Sequence, residues 1–272
     1  MRLIWTVHNL VPHDGGGWEN GWGKRILARH CDLVITHSAS TEAELRRRVT
    51  PRGPVVVMPH GSYIGHYPEP RPRLAVLADL GIADDRPILC CVGMLRGYKG
   101  IDLACEAFAH LQDEVRLIIA GSPHQTFELA SVERYAEREP GLTLVTHRLS
   151  DQEFVDILSV ADAALLPYRQ VTGSGALLAA WSAGCGVVAS DLTFFRDMLP
   201  EDSDAGRLFR TGDAEALVAA IRDYLQVSRE RRRAAAWDMA SQFAWERCVV
   251  PVGKIIQSWT PVPSPIHETR SY

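Results

Sequence analysis

Several common signatures are missing from this 272-residue sequence. Its six cysteines, Cys31, Cys90, Cys91, Cys105, Cys185 and Cys248, form no CxxC pair and show no zinc-type spacing with histidine. That argues against a structural zinc site, and the cysteines read as reduced packing residues, which suits a cytosolic compartment. Long apolar runs are absent as well. The N-terminal stretch Leu3–Val7 stops at His8 and Asn9, too short for a signal-peptide core or a membrane span. No excess of one charge exists: 29 Lys and Arg stand against 33 Asp and Glu, a net charge of −4. That balance argues against nonspecific nucleic-acid binding. GxGxxG, GxxxxGK[ST] and GxSxG do not occur, which argues against a nicotinamide dehydrogenase, a P-loop NTPase and an α/β-hydrolase.

What is present is an ordinary globular composition, 46% apolar and 23% charged, long enough for one large or two modest domains. Short apolar runs alternate with helical periods, the pattern of βα units and parallel sheets. Strands are expected at residues 2–7, 32–36, 55–58, 88–92, 115–120, 142–145, 163–166 and 186–189. Helices are expected at residues 41–49 (with a Thr cap), 102–111, 127–138, 151–161, 176–183, 214–225 (capped by Asp213) and 229–242. A last one over 245–259 must kink or restart at Pro251. The proline-rich stretch 61–72 reads as a connector between a three-strand piece and a five-strand piece. The end, 261–272, reads as a loose tail.

Two loops between a strand and a helix carry chemistry. In Gly93-Met94-Leu95-Arg96-Gly97-Tyr98-Lys99-Gly100, glycines allow close backbone approach, while Arg96 and Lys99 supply a fork and a point charge suited to a diphosphate. In Pro167–Gly175, Gly173, Ser174 and Gly175 stand at a helix start, where free N–H groups and the dipole favour an anion. Strand-to-helix loops of a parallel sheet lie at its carboxyl edge, where ligands bind. His8 and His13 flank the end of the first strand and suit proton transfer or a sugar hydroxyl. The glycine-rich loop 14–23 carries Trp18 and Trp22, aromatics suited to covering a sugar or lipid acceptor. Asp202-Ser203-Asp204 spells DxD, but in a polar turn rather than after a strand, which reads against a metal site.

GMLRGYKG (93–100), LLPYRQVTGSG (165–175), AGCGVVASD (183–191), TVHNLVPH (6–13), MPHGSY (58–63) and ADAALLPY (161–168) together resemble the family 4 glycosyltransferases, in the branch with an Arg-x-Tyr-Lys-Gly motif. The resemblance runs from Leu3 to about Trp259. It implies an α/β chain of GT-B type, two Rossmann-like domains with parallel sheets, and sugar transfer from a nucleotide diphosphate donor without metal or other cofactor. The implied organisation is a partial N-terminal, acceptor-side domain at 1–65, a nucleotide-sugar domain at 66–242, a helix returning toward the first domain at 243–260 and a tail at 261–272. Arg96 and Lys99 would neutralise the leaving diphosphate. Gly93, Thr172, Ser174 and Gly175 would complete the donor set, and His8 would face the donor sugar. Gly121 and Ser122, with the loop at Arg148 and Leu149, would hold the base, of UDP or GDP type. His13, Trp18 and Trp22 would lie on the side of a glycan, lipid-linked or small-molecule acceptor.

Three departures from the family pattern stand out. Val171 and Ala179 occupy the places of two glutamates carried by many members. Gly186 stands for the usual proline before Val187, which reads as a change of loop conformation. The first βα units expected before the TVHN strand are missing, so the N-terminal domain reads as incomplete and strand 2–7 as an uncovered edge exposing Ile4, Trp5, Ile26 and Leu27. A nucleotide-sugar-binding subunit relying on a second chain is the alternative reading. A cytoplasmic location is expected, with the basic clusters 46–48 and 229–233 able to dock on anionic lipid at the inner face of the membrane.

Overall fold

The computed structural model describes residues 1–8 and 19–259, with the side chains of 19–21 left aside. His13 and Trp18 lie outside the described residues. Two parallel sheets organise the chain. The smaller has order β1-β2-β3, formed by Ile4–Val7, Leu33–Thr36 and Val55–Val57. Its strands finish in step, with Val7 opposite Thr36 and Thr36 opposite Val57. The larger has order β6-β5-β4-β7-β8-β9, from Ile88–Val92 (β4), Arg116–Ala120 (β5), Leu142–Val145 (β6), Ala163–Leu166 (β7), Val187–Ser190 (β8) and Gly206–Phe209 (β9). Strand order reverses between β4 and β7, and in such sheets the crevice at the reversal is where ligands sit.

The second piece thus has six strands rather than five. The added one, β9, is only Gly-Arg-Leu-Phe, too short and too charged to show a strand period. The central strands β4, β7 and β8 are buried along their whole length, as strands covered on both faces must be. Helices α4 (Ile101–Ala109) and α9 (Ala214–Gln226) cover one face; α6 (Asp151–Val160), α7 (Gly175–Ser182) and α10 (Arg229–Gln242) cover the other.

Several expected elements shift. The segment ahead of β2 is helical over Glu19–His30 (α1), so the loop reading of 14–23 fails at its end and Trp22 is a helix residue, 68% exposed. Helix α2 (Ala39–Arg48) is capped by Ser38, not Thr41: the Ser38 hydroxyl accepts from the Thr41 N–H, and Thr41 is buried within the helix. Short helices α3 (Arg73–Asp79) and α8 (Thr193–Met198) were not legible. The last helical stretch splits at Val249 into α11 (Trp245–Cys248) and α12 (Val250–Gln257), because Pro251 fits only a first turn. Helix α5 covers Leu129–Ala136. All six cysteines are buried, and none is in a disulfide.

Connections tie the sheets together. The Ser62 N–H donates to the Phe243 carbonyl at 2.7 Å, and the Tyr63 N–H to the Ser182 hydroxyl at 2.9 Å. Trp245 lies so close over Gly61 that any Cβ there would sit 2.3 Å from its ring. Val252 of α12 packs on Leu33 and Ile35, closing one face of the small sheet. Ile4 (40%), Ile26 and Leu27 remain exposed beside the edge strand β1, whereas Trp5 is half-buried.

The basic clusters are largely satisfied within the fold. Arg46 pairs with Glu42, and Arg47 and Arg48 with Glu44. Arg231 pairs with Asp204, Arg232 with Asp162, and Arg233 donates to the Ser159 carbonyl. Asp204 is thereby committed, and among the described residues no group of three or more His, Cys, Asp or Glu is placed to hold a metal. Among the described residues no helix is long and apolar enough to cross a membrane.

Candidate active site

The site begins at the carboxyl ends of β4 and β7. After β4 the chain turns through Gly93 (φ 97°), takes one 3₁₀ turn over Gly97–Lys99 and enters α4 through Gly100 (φ 65°). A side chain at Gly100 is excluded twice, by its left-handed φ and by the Pro167 carbonyl 2.0 Å from where a Cβ would be. The same holds for Gly121 (φ 145°), whose Cβ would lie 2.2 Å from the Gly93 carbonyl. These glycines let the loops after β4, β5 and β7 touch. Backbone bonds then lock them: Gly93 N–H to Ala120, Leu95 N–H to Ser122, Gly121 N–H to Val145 and Arg169 N–H to Tyr98. The Arg169 guanidinium adds a strap, donating to the Gly97 carbonyl and pairing with Asp102.

Lys99 is half-buried at this junction, its Nζ 3.6 Å from the space a Gly93 Cβ would fill and 5.9 Å from the Tyr168 ring centre. Burial, and to a lesser degree the Arg96 charge, lower its pKa from 10.5 to about 8, against an opposing pull from the Cys91 thiol. Nε of Arg96 lies 3.3 Å from the Met94 sulfur. The lysine thus lies, with its pKa drawn down by burial, at the reversal of strand order.

After β7 the chain reaches the N-terminus of α7. Ser174 is buried and caps that helix, its hydroxyl accepting from the Leu177 N–H at 3.2 Å. The same hydroxyl bonds with Tyr168, whose own pKa burial raises. Ser174 therefore contributes its place in the helix start, its side chain being taken by the fold. Thr172 is half-buried two residues before it.

Across from this helix start stands the small sheet. His8, Gly173, Ser174 and Gly175 line one cavity of about 220 Å³, together with His37, Pro59, His60, Leu178, Phe194 and Met198. The structure thus brings His8 to the second loop. Lys99 and Gly93 line a separate small cleft between the ends of β4 and β7. His37 and His60 escaped the sequence reading, although their signal was available: like His8, each follows a strand of the small sheet at its carboxyl end. Their rings form a chain, His8 to His37 at 5.2 Å and His37 to His60 at 6.0 Å between centres. His37 Nδ1 is 2.9 Å from the Met58 carbonyl and donates to it, while its buried Nε2 has no partner among the described residues.

The remaining expected residues scatter more. Gly121 and Ser122 sit beside Gly93 through the bonds given above. Leu149 packs against the core, and Arg148 is exposed beside it. Trp22 is exposed on α1 and does not line the cavity. Gly186 is not a matter of loop conformation: a Cβ there would lie 1.6 Å from the Tyr224 hydroxyl and 3.0 Å from the Ala205 carbonyl.

Comparison with known proteins agrees with this architecture. The family model described as glycosyl transferases group 1 matches residues 86–227. The chain is 26% identical over 266 residues to an α-maltose-1-phosphate synthase of Mycolicibacterium smegmatis, covering 90% of this chain and 68% of that protein. It is 29% identical over 272 residues to a D-inositol 3-phosphate glycosyltransferase of Geodermatophilus obscurus, covering 92% and 59%. A crystal structure of Anabaena HepE in complex with UDP and glucose superposes with a TM-score of 0.79 at 17% identity, over 95% of this chain and 72% of that one. The chain spans between about half and two thirds of the length of the curated relatives it matches. The fold is α/β with parallel sheets, as in the solved GT-B glycosyltransferases.

Proposed function

From the premise that this chain belongs to the glycosyl transferases of group 1, we propose that it transfers a sugar from a nucleoside diphosphate donor to a hydroxyl of a glycan, lipid-linked or small-molecule acceptor. We place it in the Arg-x-Tyr-Lys-Gly branch on the sequence 96–100. The observation that carries the reading is the junction at the strand-order reversal, where Lys99 lies half-buried between loops held together by Gly100, Gly121 and Arg169. In the proposed step the bond from sugar C1 to the β-phosphate oxygen breaks. Its electron pair leaves on the diphosphate, where Lys99 and Arg96 offset the charge and stand in for a metal. The acceptor hydroxyl oxygen forms the new bond at C1, and its proton passes to solvent, leaving the glycoside and the nucleoside diphosphate. His8, facing the start of α7 across the cavity, contacts the donor sugar, and His37 and His60 hold polar groups in the same space. Gly121 and Ser122 line the base side, next to Gly93.

The test is calorimetric titration of the purified chain with UDP and GDP, first without metal and then with Mg²⁺. Metal-independent binding of one nucleotide, weakened in Lys99→Ala by about 1.5–3 kcal/mol, is the expected result for a charge-assisted contact. Equal affinity in the wild-type chain and in both Lys99→Ala and Arg96→Ala would overturn the site. His8→Ala is expected to spare nucleotide affinity and to slow transfer.

A further inference from the structure

A second cavity, about 500 Å³, lies away from the strand-order reversal, between the connector 61–72 and helices α6, α7 and α10. Aromatic residues line it: Tyr63 and Tyr67 from the connector, and Trp237 of α10, which is 48% exposed. The tyrosine rings are held in place, 5.5 Å apart between centres, with Tyr67 backed by Phe154 at 5.2 Å. Burial raises the pKa of both, that of Tyr67 to about 12, so their hydroxyls stay neutral donors. Three charged residues share the lining: Glu69, Asp238 and Arg233.

That combination selects a ligand class. Aromatic side chains along an open groove suit the C–H face of a pyranose ring, while carboxylates and a guanidinium bind neighbouring hydroxyls. Two carboxylates against one arginine disfavour a phosphate or nucleotide. A purely apolar partner would strip water from Glu69, Asp238 and Arg233 without replacing its hydrogen bonds. We propose that this groove binds a neutral oligosaccharide, as a carbohydrate subsite separate from the reaction cleft. The two are adjacent through one side chain: Tyr63 lines the groove, while its hydroxyl lies 3.0 Å from the space a Gly175 Cβ would fill, at the start of α7. The groove is thus placed to hold a glycan whose far end reaches the cavity of His8 and Gly175. The assignment does not depend on the donor site, and its test separates the two.

The experiment titrates the full chain with maltohexaose and α-1,6-mannohexaose, with inorganic pyrophosphate and a proline-rich decapeptide as controls. One hexasaccharide is expected to bind, and Trp237→Ala to weaken it at least tenfold, with Asp238→Asn acting in the same direction. Trp237 and Asp238 are exposed, so unchanged thermal melting will show that both variants fold. Affinity for the sugar is expected to be the same in Lys99→Ala, and UDP or GDP is expected not to displace it. Sugar binding that survives Trp237→Ala, or that is lost in Lys99→Ala, overturns the groove as its seat. Binding of the peptide or pyrophosphate in the groove without either sugar, or binding of none of the four probes, overturns it as well.

Discussion

Lys99 brings a positive charge to a half-buried place, and burial makes the neutral amine easier to reach, near pH 8 rather than 10.5. A diphosphate would restore the charged form, so its binding takes up a proton above that pH. Affinity for UDP or GDP is expected to be level below about pH 8 and to fall as pH rises through it, with the dependence abolished in Lys99→Met; titration across that range checks it. The stability sign follows from the same shift. The folded pKa lies below the unfolded one, so the charged lysine costs stability below about pH 8 and the cost fades as pH rises toward 10.5. Lys99→Met is therefore expected to raise unfolding free energy by about 1–2 kcal/mol at neutral pH while losing nucleotide affinity. Gly186 shows a constraint of another kind. Tyr224, buried, donates to the Asp204 carbonyl and fills the space where a side chain would be. Gly186→Ala is expected to cost about 1–3 kcal/mol by overpacking, and Tyr224→Phe to recover part of that in the double variant, measured by urea unfolding.

At the scale of elements, helix starts and loop contacts decide the site. Helix α6 opens with a reciprocal box: the Ser150 hydroxyl accepts from the Glu153 N–H, and the Glu153 carboxylate accepts from the Ser150 N–H at 2.7 Å. These bonds and His147 hold the Glu153 pKa down to about 2. Its contribution is present above the ordinary carboxylate pKa of 4.5 and is lost as pH falls toward 2. Ser150→Ala is expected to cost about 1 kcal/mol in urea unfolding at neutral pH and less in acid. Arg169 works between elements. Its ion pair with Asp102 is exposed, so Arg169→Ala is expected to change stability by no more than about 1 kcal/mol. The same variant frees the 97–102 turn from the loop after β7, and nucleotide affinity is expected to fall although Arg169 is a positioning residue. Equal affinity with equal stability would refute that role. The motif shows an arginine at this place, but not that its guanidinium is turned onto Gly97 and Asp102.

On the scale of the whole molecule, the chain passes from the small sheet through the connector to the large one and returns through α11 and α12. Val252 covers Leu33 and Ile35, so this return closes the core of the small sheet. Val252→Ala is expected to lower stability by about 1–2 kcal/mol. Hydrogen exchange would rise first in β2 and β3 and leave β4, β7 and β8 protected; equal loosening of both sheets would contradict it. The residues of this stretch gave only a helix that breaks near Pro251, and its return toward the first domain came from the family resemblance. Its docking depends on two apolar residues more than two hundred positions upstream, which no local period relates to it.

The sequence by itself determined the alternation of strands and helices, the apolar central strands, the Asp213 cap and the two glycine-bearing loops, because each depends on residues within one or two turns of chain. It also carried the histidines, each placed after a strand of the small sheet. The tertiary structure decided what those pieces meet. Strand order placed Gly93–Gly100 and Pro167–Gly175 side by side at the reversal, though they lie about seventy positions apart. Packing pressed Gly186 onto Tyr224, laid Arg169 across to Gly97 and Asp102 as a strap and brought His8, His37 and His60 to the start of α7. The short strand β9 and the half-buried place of Lys99 were likewise decided there. Pairing and burial are set by contacts between distant segments, and a side chain's pKa by the medium those contacts build around it.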